Sequence, residues 1–219
     1  GALRALLRTR KPLVRERASH VQRLQKVLED ANLKLASVLS SVVGVTGRAM
    51  LEALIAGESD PDRLLALVTY RVKAEPARLR AALTGRLTDR HRFLLRLHLG
   101  QYDALAQALA EIDAEVERDL DPFREAIGLL RSIPGVSDLS AEVILSETGP
   151  DMSRFPTAGH LISWAGLCPR NDESAGKRRS NRLREGAPWL KATLVQRAWA
   201  ASRKKDGHLR AQFQRLRQR

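Results

Sequence analysis

Little in this chain is aromatic, and almost none of it is cysteine. Phe, Trp and Tyr together make up 4% of the 219 residues, too few for the side-chain layers of a β-sandwich or barrel. One cysteine, Cys168, excludes an intrachain disulfide framework and a cysteine-rich zinc site, and suits a reducing compartment. The five histidines, His20, His91, His98, His160 and His208, are scattered. His91 and His98 would share a helix face but stand two turns apart, too far for one ion. No metal site is expected on these residues. No apolar run reaches the length of a membrane span, and no charged-then-apolar signal pattern opens the sequence. A phosphate loop of the GxxxxGK type, a dinucleotide fingerprint, internal repeats and low-complexity linkers are likewise missing.

Acidic residues are scarce where basic ones are dense. Lys and Arg number 38, Asp and Glu 25, a net charge of +13. Residues 170–219 hold 15 basic and 4 acidic residues, a net of +11, which leaves only +2 for the other 169 residues. A field of that sign favours phosphate-rich partners. Part of it has a structural use, because cations at helix C-termini complement the helix dipole.

The hydrophobic pattern is helical almost throughout, and it predicts an all-α fold. Leu7, Val14, Val21 and Leu28 recur every seven residues, with Leu24 and Leu35 on the same side, so a long helix is expected from about residue 2 to 39. Its periodicity is already running at Leu3, Leu6 and Leu7, as in a fragment of something longer. Gly44 and Gly47 are turn signals, Gly57 ends a short helix, and Ser59-Asp60-Pro61 opens another with an N-cap and a first-turn proline. A second long helix is predicted over about 89–121. Its stripe Tyr102, Leu105, Leu109, Ile112, Val116 is spaced 3, 4, 3, 4, in the manner of a coiled coil. An antiparallel pairing with the first helix and a contact between subunits fit this stripe equally well. At Pro122 the character changes, so the division expected is a helical, coiled-coil-like region (1–121) and a compact helical domain (122–219).

Three segments of the second region carry candidate chemistry. A helix ending near Arg131 is followed by Ile133-Pro134-Gly135-Val136 and a second helix from Leu139. This resembles the helix-hairpin-helix motif, whose turn presents backbone N–H groups to a DNA phosphate. Ser137 stands where a second glycine is usual, and an ordinary αα-hairpin fits as well. Pro134, Gly135 and Val136 are the candidate backbone contacts. Next, a helix opened at Pro156 or Thr157 and closed by Gly166 turns Leu161 and Trp164 inward as core. Then follows a polar loop, residues 170–186. Lys177, Arg178, Arg179, Arg182 and Arg184 put five cations in eight positions with no acid among them, the density needed to hold phosphate oxygens. Ser174 precedes the cluster and Gly176 gives it backbone freedom. A serine attacks a phosphodiester only when its proton is taken and the phosphate charge is neutralised. The cations supply the second condition.

The ordered set Ile133-Pro134-Gly135-Val136, Glu147-Thr148-Gly149, Phe155-Pro156-Thr157-Ala158, Trp164-Ala165-Gly166-Leu167-Cys168-Pro169, Glu173-Ser174-Ala175-Gly176-Lys177 and Trp189-Leu190 resembles the C-terminal domain of transposases of the insertion sequence 110 and 1111 type. Upstream blocks are similar too, among them Arg23-Leu24-Gln25-Lys26, Gly44-Val45-Thr46-Gly47-Arg48-Ala49-Met50-Leu51 and Gly57-Glu58-Ser59-Asp60-Pro61. The resemblance implies a DNA recombinase that moves its element through a circular intermediate, in some members guided by a structured bridge RNA. It implies an N-terminal RNase H-like domain with metal-binding carboxylates, which this sequence lacks. A divalent ion such as Mg would belong to that domain, and no cofactor to this chain. The family's nucleophilic serine falls on Ser174, with Ser180 as nearest competitor because Ala175 separates Ser174 from Gly176. The expected partners are DNA, a guide RNA and further copies of the chain through the coiled-coil helices. The expected location is the prokaryotic cytoplasm at the nucleoid. The alternative is a non-catalytic helix-hairpin-helix module for DNA binding or assembly.

Overall fold

In a computed structural model of the chain, the seven-residue pattern at the start becomes helix α1, Ala2–Asp30. The description covers residues 1–219 except Arg71, Arg170, Asn171, Asn181, Arg184 and Arg219; the side chains of Asp172, Glu173, Arg178 and Arg179 also lie outside it. Pro12 sits inside α1. Its missing N–H leaves the Arg8 carbonyl without its helical donor, yet the helix continues. It ends earlier than the periodicity predicts: Asn32 turns left-handed at φ 59°, and Leu33, Leu35 and Leu39 fold back as buried residues of a short connecting segment.

Contacts divide the chain into two compact units, one of Thr9–Asp113 and one of Gly1–Arg8 with Ala114–Arg219. The first contains most of α1, then α2 (Val45–Ala56), α3 (Pro61–Leu65), α4 (Pro76–Ala82) and most of α5 (Asp89–Leu120). Gly57 closes α2 at φ 106°, and its N–H caps the last carbonyls. Asp60 caps α3 by accepting from the Asp62 N–H at 2.9 Å, with Pro61 in the first turn. Leu24, Leu28, Leu35, Met50, Leu51, Leu54, Leu64 and Leu95 are fully buried and form the core of this unit. Within it α1 and α5 run antiparallel. Arg10 pairs with Asp113, Arg17 lies over the Tyr102 ring at 5.8 Å, and His20 meets His98 at 5.3 Å. Residue numbers rise along one helix as they fall along the other. Of the predicted stripe, Leu109 and Val116 are buried and Tyr102, Leu105 and Ile112 half-buried.

The second unit holds α6 (Arg124–Arg131), α7 (Asp138–Thr148), α8 (Ala158–Trp164), a two-stranded antiparallel ribbon of β1 (Asp172–Ser174) and β2 (Lys177–Ser180), α9 (Pro188–Arg203) and α10 (His208–Arg217). Ile144, Ala165 and Leu190 are the buried centre, with Leu130, Val136, Leu161 and Leu194 packed around them. The all-α reading holds for the framework. The polar loop expected at 170–186 instead contains the ribbon. Trp164, expected inward, sits at the border of the core, 37% exposed and packed on Phe155 at 5.5 Å.

Candidate nucleic-acid interface

The basic segment leaves the fold and returns to it at one point. Gly166 turns the chain out of α8 at φ 72°, and Pro169 bridges to Leu183 on the way back. At the return, the Ala187 N–H donates to the Trp164 carbonyl at 3.2 Å. Gly186 lies so close to Gly166 that a Cβ would stand 2.4 Å from its nitrogen. The absent side chain at 186 is therefore what lets the two ends of the excursion touch.

Between those ends the strands pair Ser174 with Lys177, Glu173 with Arg178 and Asp172 with Ser180. The count is one residue longer on β2, so Arg179 is the extra residue of a bulge. The turn has two central residues, Ala175 at φ 51° and Gly176 at φ 72°, both left-handed as a type I′ turn requires. Alanine there carries a steric cost of about 1–2 kcal/mol that glycine escapes. Ser174 and Lys177 face one another across the last pair before the turn, and both are exposed. The Ser174 hydroxyl has no hydrogen-bond partner among the described residues. Ser180 differs: it is half-buried, and its hydroxyl accepts the Arg182 N–H at 3.2 Å. Arg182 is exposed. Arg178 and Arg179 lie on β2 by their backbone, and Arg184 is outside the described residues.

Pro134, Gly135 and Val136 are held by different elements. They form the half-buried turn between α6 and α7. Gly135 has φ 88°, and a Cβ on it would meet the backbone of α9, 2.8 Å from both the Ala201 nitrogen and the Arg197 oxygen. Its missing side chain serves packing on α9. Ser137 and Ser140 cap the start of α7 reciprocally, and Asp138 in its first turn pairs with Arg131 at 2.8 Å. The helix start is thus already supplied with an acceptor and a negative charge.

One feature of this unit escapes any spacing argument. Glu147, 2% exposed in α7, is gripped by Arg8 through two hydrogen bonds of 2.8 and 2.9 Å. Arg4 donates to the Ser146 and Glu147 carbonyls at 3.1 and 2.9 Å, capping the C-terminal end of α7. The hydrogen bonds to Glu147 raise the Arg8 pKa above its already high ordinary value. Arg8 also lies over the Trp189 ring at 5.7 Å. Among the described residues no group of three or more His, Cys, Asp or Glu is placed to hold a metal ion. No helix among them is long and apolar enough to cross a membrane.

Residues 128–214 match the transposase IS116/IS110/IS902 family. The chain is 32% identical over 103 residues to a Sinorhizobium fredii protein that carries the transposase name y4pF/y4sB, over 47% of this chain and 26% of that one. It is 34% identical over 113 residues to the uncharacterized 43.6 kDa protein of insertion element IS110 from Streptomyces coelicolor, over 46% of this chain and 28% of that one. The alignments thus span about a quarter of the length of these curated relatives. No solved structure matches the chain significantly. The family match lies within the unit that carries the ribbon and leaves the rest of the chain outside it.

Proposed function

We propose that this chain is the serine-bearing part of a transposase of the IS110 type, acting in DNA transposition. The observation that carries the reading is the ribbon. It displays an exposed serine beside Lys177 at the tip of a pinned, cation-rich excursion, inside the segment similar to those transposases. DNA is the partner, held through its phosphates by Lys177, Arg178, Arg179, Arg182 and Arg184. Ser174 is the nucleophile. Its oxygen bonds to phosphorus, the ester bond to one neighbouring deoxyribose breaks, and the released sugar oxygen leaves as a hydroxyl with the proton that the serine gives up. The product is a serine phosphoester on one DNA end. Ser174 is favoured over Ser180 because its hydroxyl is exposed and, among the described residues, unengaged, whereas that of Ser180 accepts the Arg182 N–H. The acceptor for its proton and the metal-binding carboxylates of the family come from outside this chain. A guide RNA would be held by the same cations, copies of the chain would join through the long helices, and the site of action is the prokaryotic nucleoid.

A second reading is a non-catalytic DNA-binding or assembly module. It is favoured by one observation: α6, the Pro134–Gly135–Val136 turn and α7 have the connectivity of a helix-hairpin-helix. The test is duplex DNA binding by the full chain across salt concentrations. Binding should weaken steeply with salt, and changing Arg178, Arg179 and Arg182 to Ala together should flatten the slope by about 2–3. Salt-insensitive binding, or an unchanged slope in the triple variant, would refute the phosphate-holding role.

A further inference from the structure

Trp199 is half-exposed although the chain has only 4% aromatic residues to build with. It lies on α9, where Val195 and Arg203 stand one turn before and one turn after it on the same face. Its ring meets Phe213 of α10 edge-on at 5.7 Å. Phe213 supports it from the side and leaves part of the indole open to solvent. Leu216 and Arg217, three and four residues after Phe213 and so one turn further along α10, are both exposed. Over residues 188–217 there are eight basic residues and one acid, Asp206.

We infer that the α9–α10 face binds an unpaired nucleic-acid strand, with a base stacked on Trp199 and the backbone held by Arg203 and Arg217. The charge selects the occupant. A second copy of the chain docking symmetrically would set this positive face against itself, whereas a polyanion is attracted to it. The aromatic selects the form of the polyanion. A base inside a duplex hides its faces in the stack, and reaching them costs unstacking, so an exposed side-chain ring on a helix favours the open base of an unpaired strand. This site is distinct from the ribbon, whose described side chains include the exposed Ser174 and Lys177 and no aromatic. The inference rests on the proposed nucleic-acid-binding character of this unit, and the experiment keeps the two apart.

The probes are a twelve-nucleotide thymidylate DNA, the matching uridylate RNA and a DNA hairpin duplex, each titrated against the full chain by fluorescence anisotropy. Trp199→Ala should weaken binding of the single strands by about tenfold or more and leave the duplex within about twofold. Trp199→Phe should restore most of the loss, and the unchanged duplex binding of Trp199→Ala separates lost stacking from a structural defect. The intrinsic fluorescence of the parent should be quenched by the thymidylate, and Trp199→Phe should remove most of that quenching. Comparing thymidylate with uridylate tells whether DNA or RNA is the natural strand. The inference is overturned if Trp199→Ala binds both single strands as the parent does. It is equally overturned if the substitution changes only the sedimentation of the chain, because the face would then be a protein contact. If neither strands nor duplex bind the parent, the wider reading fails as well.

Discussion

Gly186→Ala probes the pin that holds the ribbon. A methyl group at 186 would stand 2.4 Å from the Gly166 nitrogen and 2.7 Å from both the Gly166 Cα and the Ala165 carbonyl carbon. All three are backbone atoms, so no side chain can swing aside, and the two ends of the excursion must separate. Overpacking of this kind costs about 1–3 kcal/mol, and a rigid backbone neighbour places it toward the upper end. In a domain of about a hundred residues each kcal/mol moves the melting temperature by roughly 4–8 °C, so a fall of roughly 10 °C or more is expected. Urea denaturation followed by tryptophan fluorescence isolates the effect, because Trp164, Trp189 and Trp199 all belong to the unit that carries the ribbon. Limited trypsin digestion supplies the local readout: cleavage at residues 177–184 should accelerate once the pin opens. Gly159→Ala is the control, since its nearest neighbour is a Thr157 hydroxyl at 3.5 Å. It should be neutral or slightly stabilising in a helix. If Gly186→Ala matches the parent in both urea midpoint and digestion rate, the Gly166–Gly186 contact does not hold the ribbon.

Three further outcomes follow from the packing and electrostatics. Arg8→Ala leaves the buried Glu147 carboxylate with Arg4, 3.5 Å away, as its one cation among the described residues, and should cost about 1–2 kcal/mol after allowing for the solvent exposure of Arg8; adding Glu147→Gln should recover part of it, and a double-mutant cycle with no coupling would contradict the clamp. Leu109→Asp should lower stability by about 3 kcal/mol or more, because the side chain is 3% exposed and a carboxylate there has no provision for its charge; a circular-dichroism melt like the parent's would sink this. His98 is held below its ordinary value of 6.5, first by burial and then by repulsion from His20 and Arg23. The unfolded chain therefore takes up a proton near that value while the folded one resists, so stability should fall as pH drops from 7 toward 5. His98→Gln should flatten that dependence, and an equally steep fall in the variant would refute the assignment.

Helices and their stops were the most legible part of this protein. The apolar stripes of α1 and α5 followed from spacing alone, and Gly57, Asp60 and Pro61 act where their backbone preferences place them. The partner of α5 was not legible. A stripe records that a face is buried, not against what, and only contacts such as Arg17 over Tyr102 resolve it. The ribbon was hidden for a chemical reason. Asp, Glu, Ser, Lys and Arg have little strand preference and no alternation here, and Ala175 occupies a left-handed position where Asn or Asp would have announced a two-residue turn. Ser174 and the cations were visible as a cluster, yet the pairing of Ser174 with Lys177 and the engagement of Ser180 needed the fold. Gly135 read as a residue for phosphate approach, whereas its bare Cα faces α9. Glu147 looked like any helical glutamate, and its partners lie more than 130 residues away. Trp199 gave no signal, because exposure cannot be told from core by residue type.

Ser174 is the proposed nucleophile, and identifying the residue that carries the DNA end tests that role. A complete transposase carrying this segment, incubated with a DNA substrate whose cleaved end diffuses away, should accumulate a covalent adduct. Trypsin then separates the two candidates, because cleavage after Arg170, Lys177 and Arg179 puts Ser174 and Ser180 on different peptides. Mass spectrometry should find the nucleotide on the peptide of residues 171–177, at Ser174, and Ser174→Ala should abolish the adduct while duplex binding persists. A nucleotide on Ser180, or an adduct that survives in Ser174→Ala, would contradict the account.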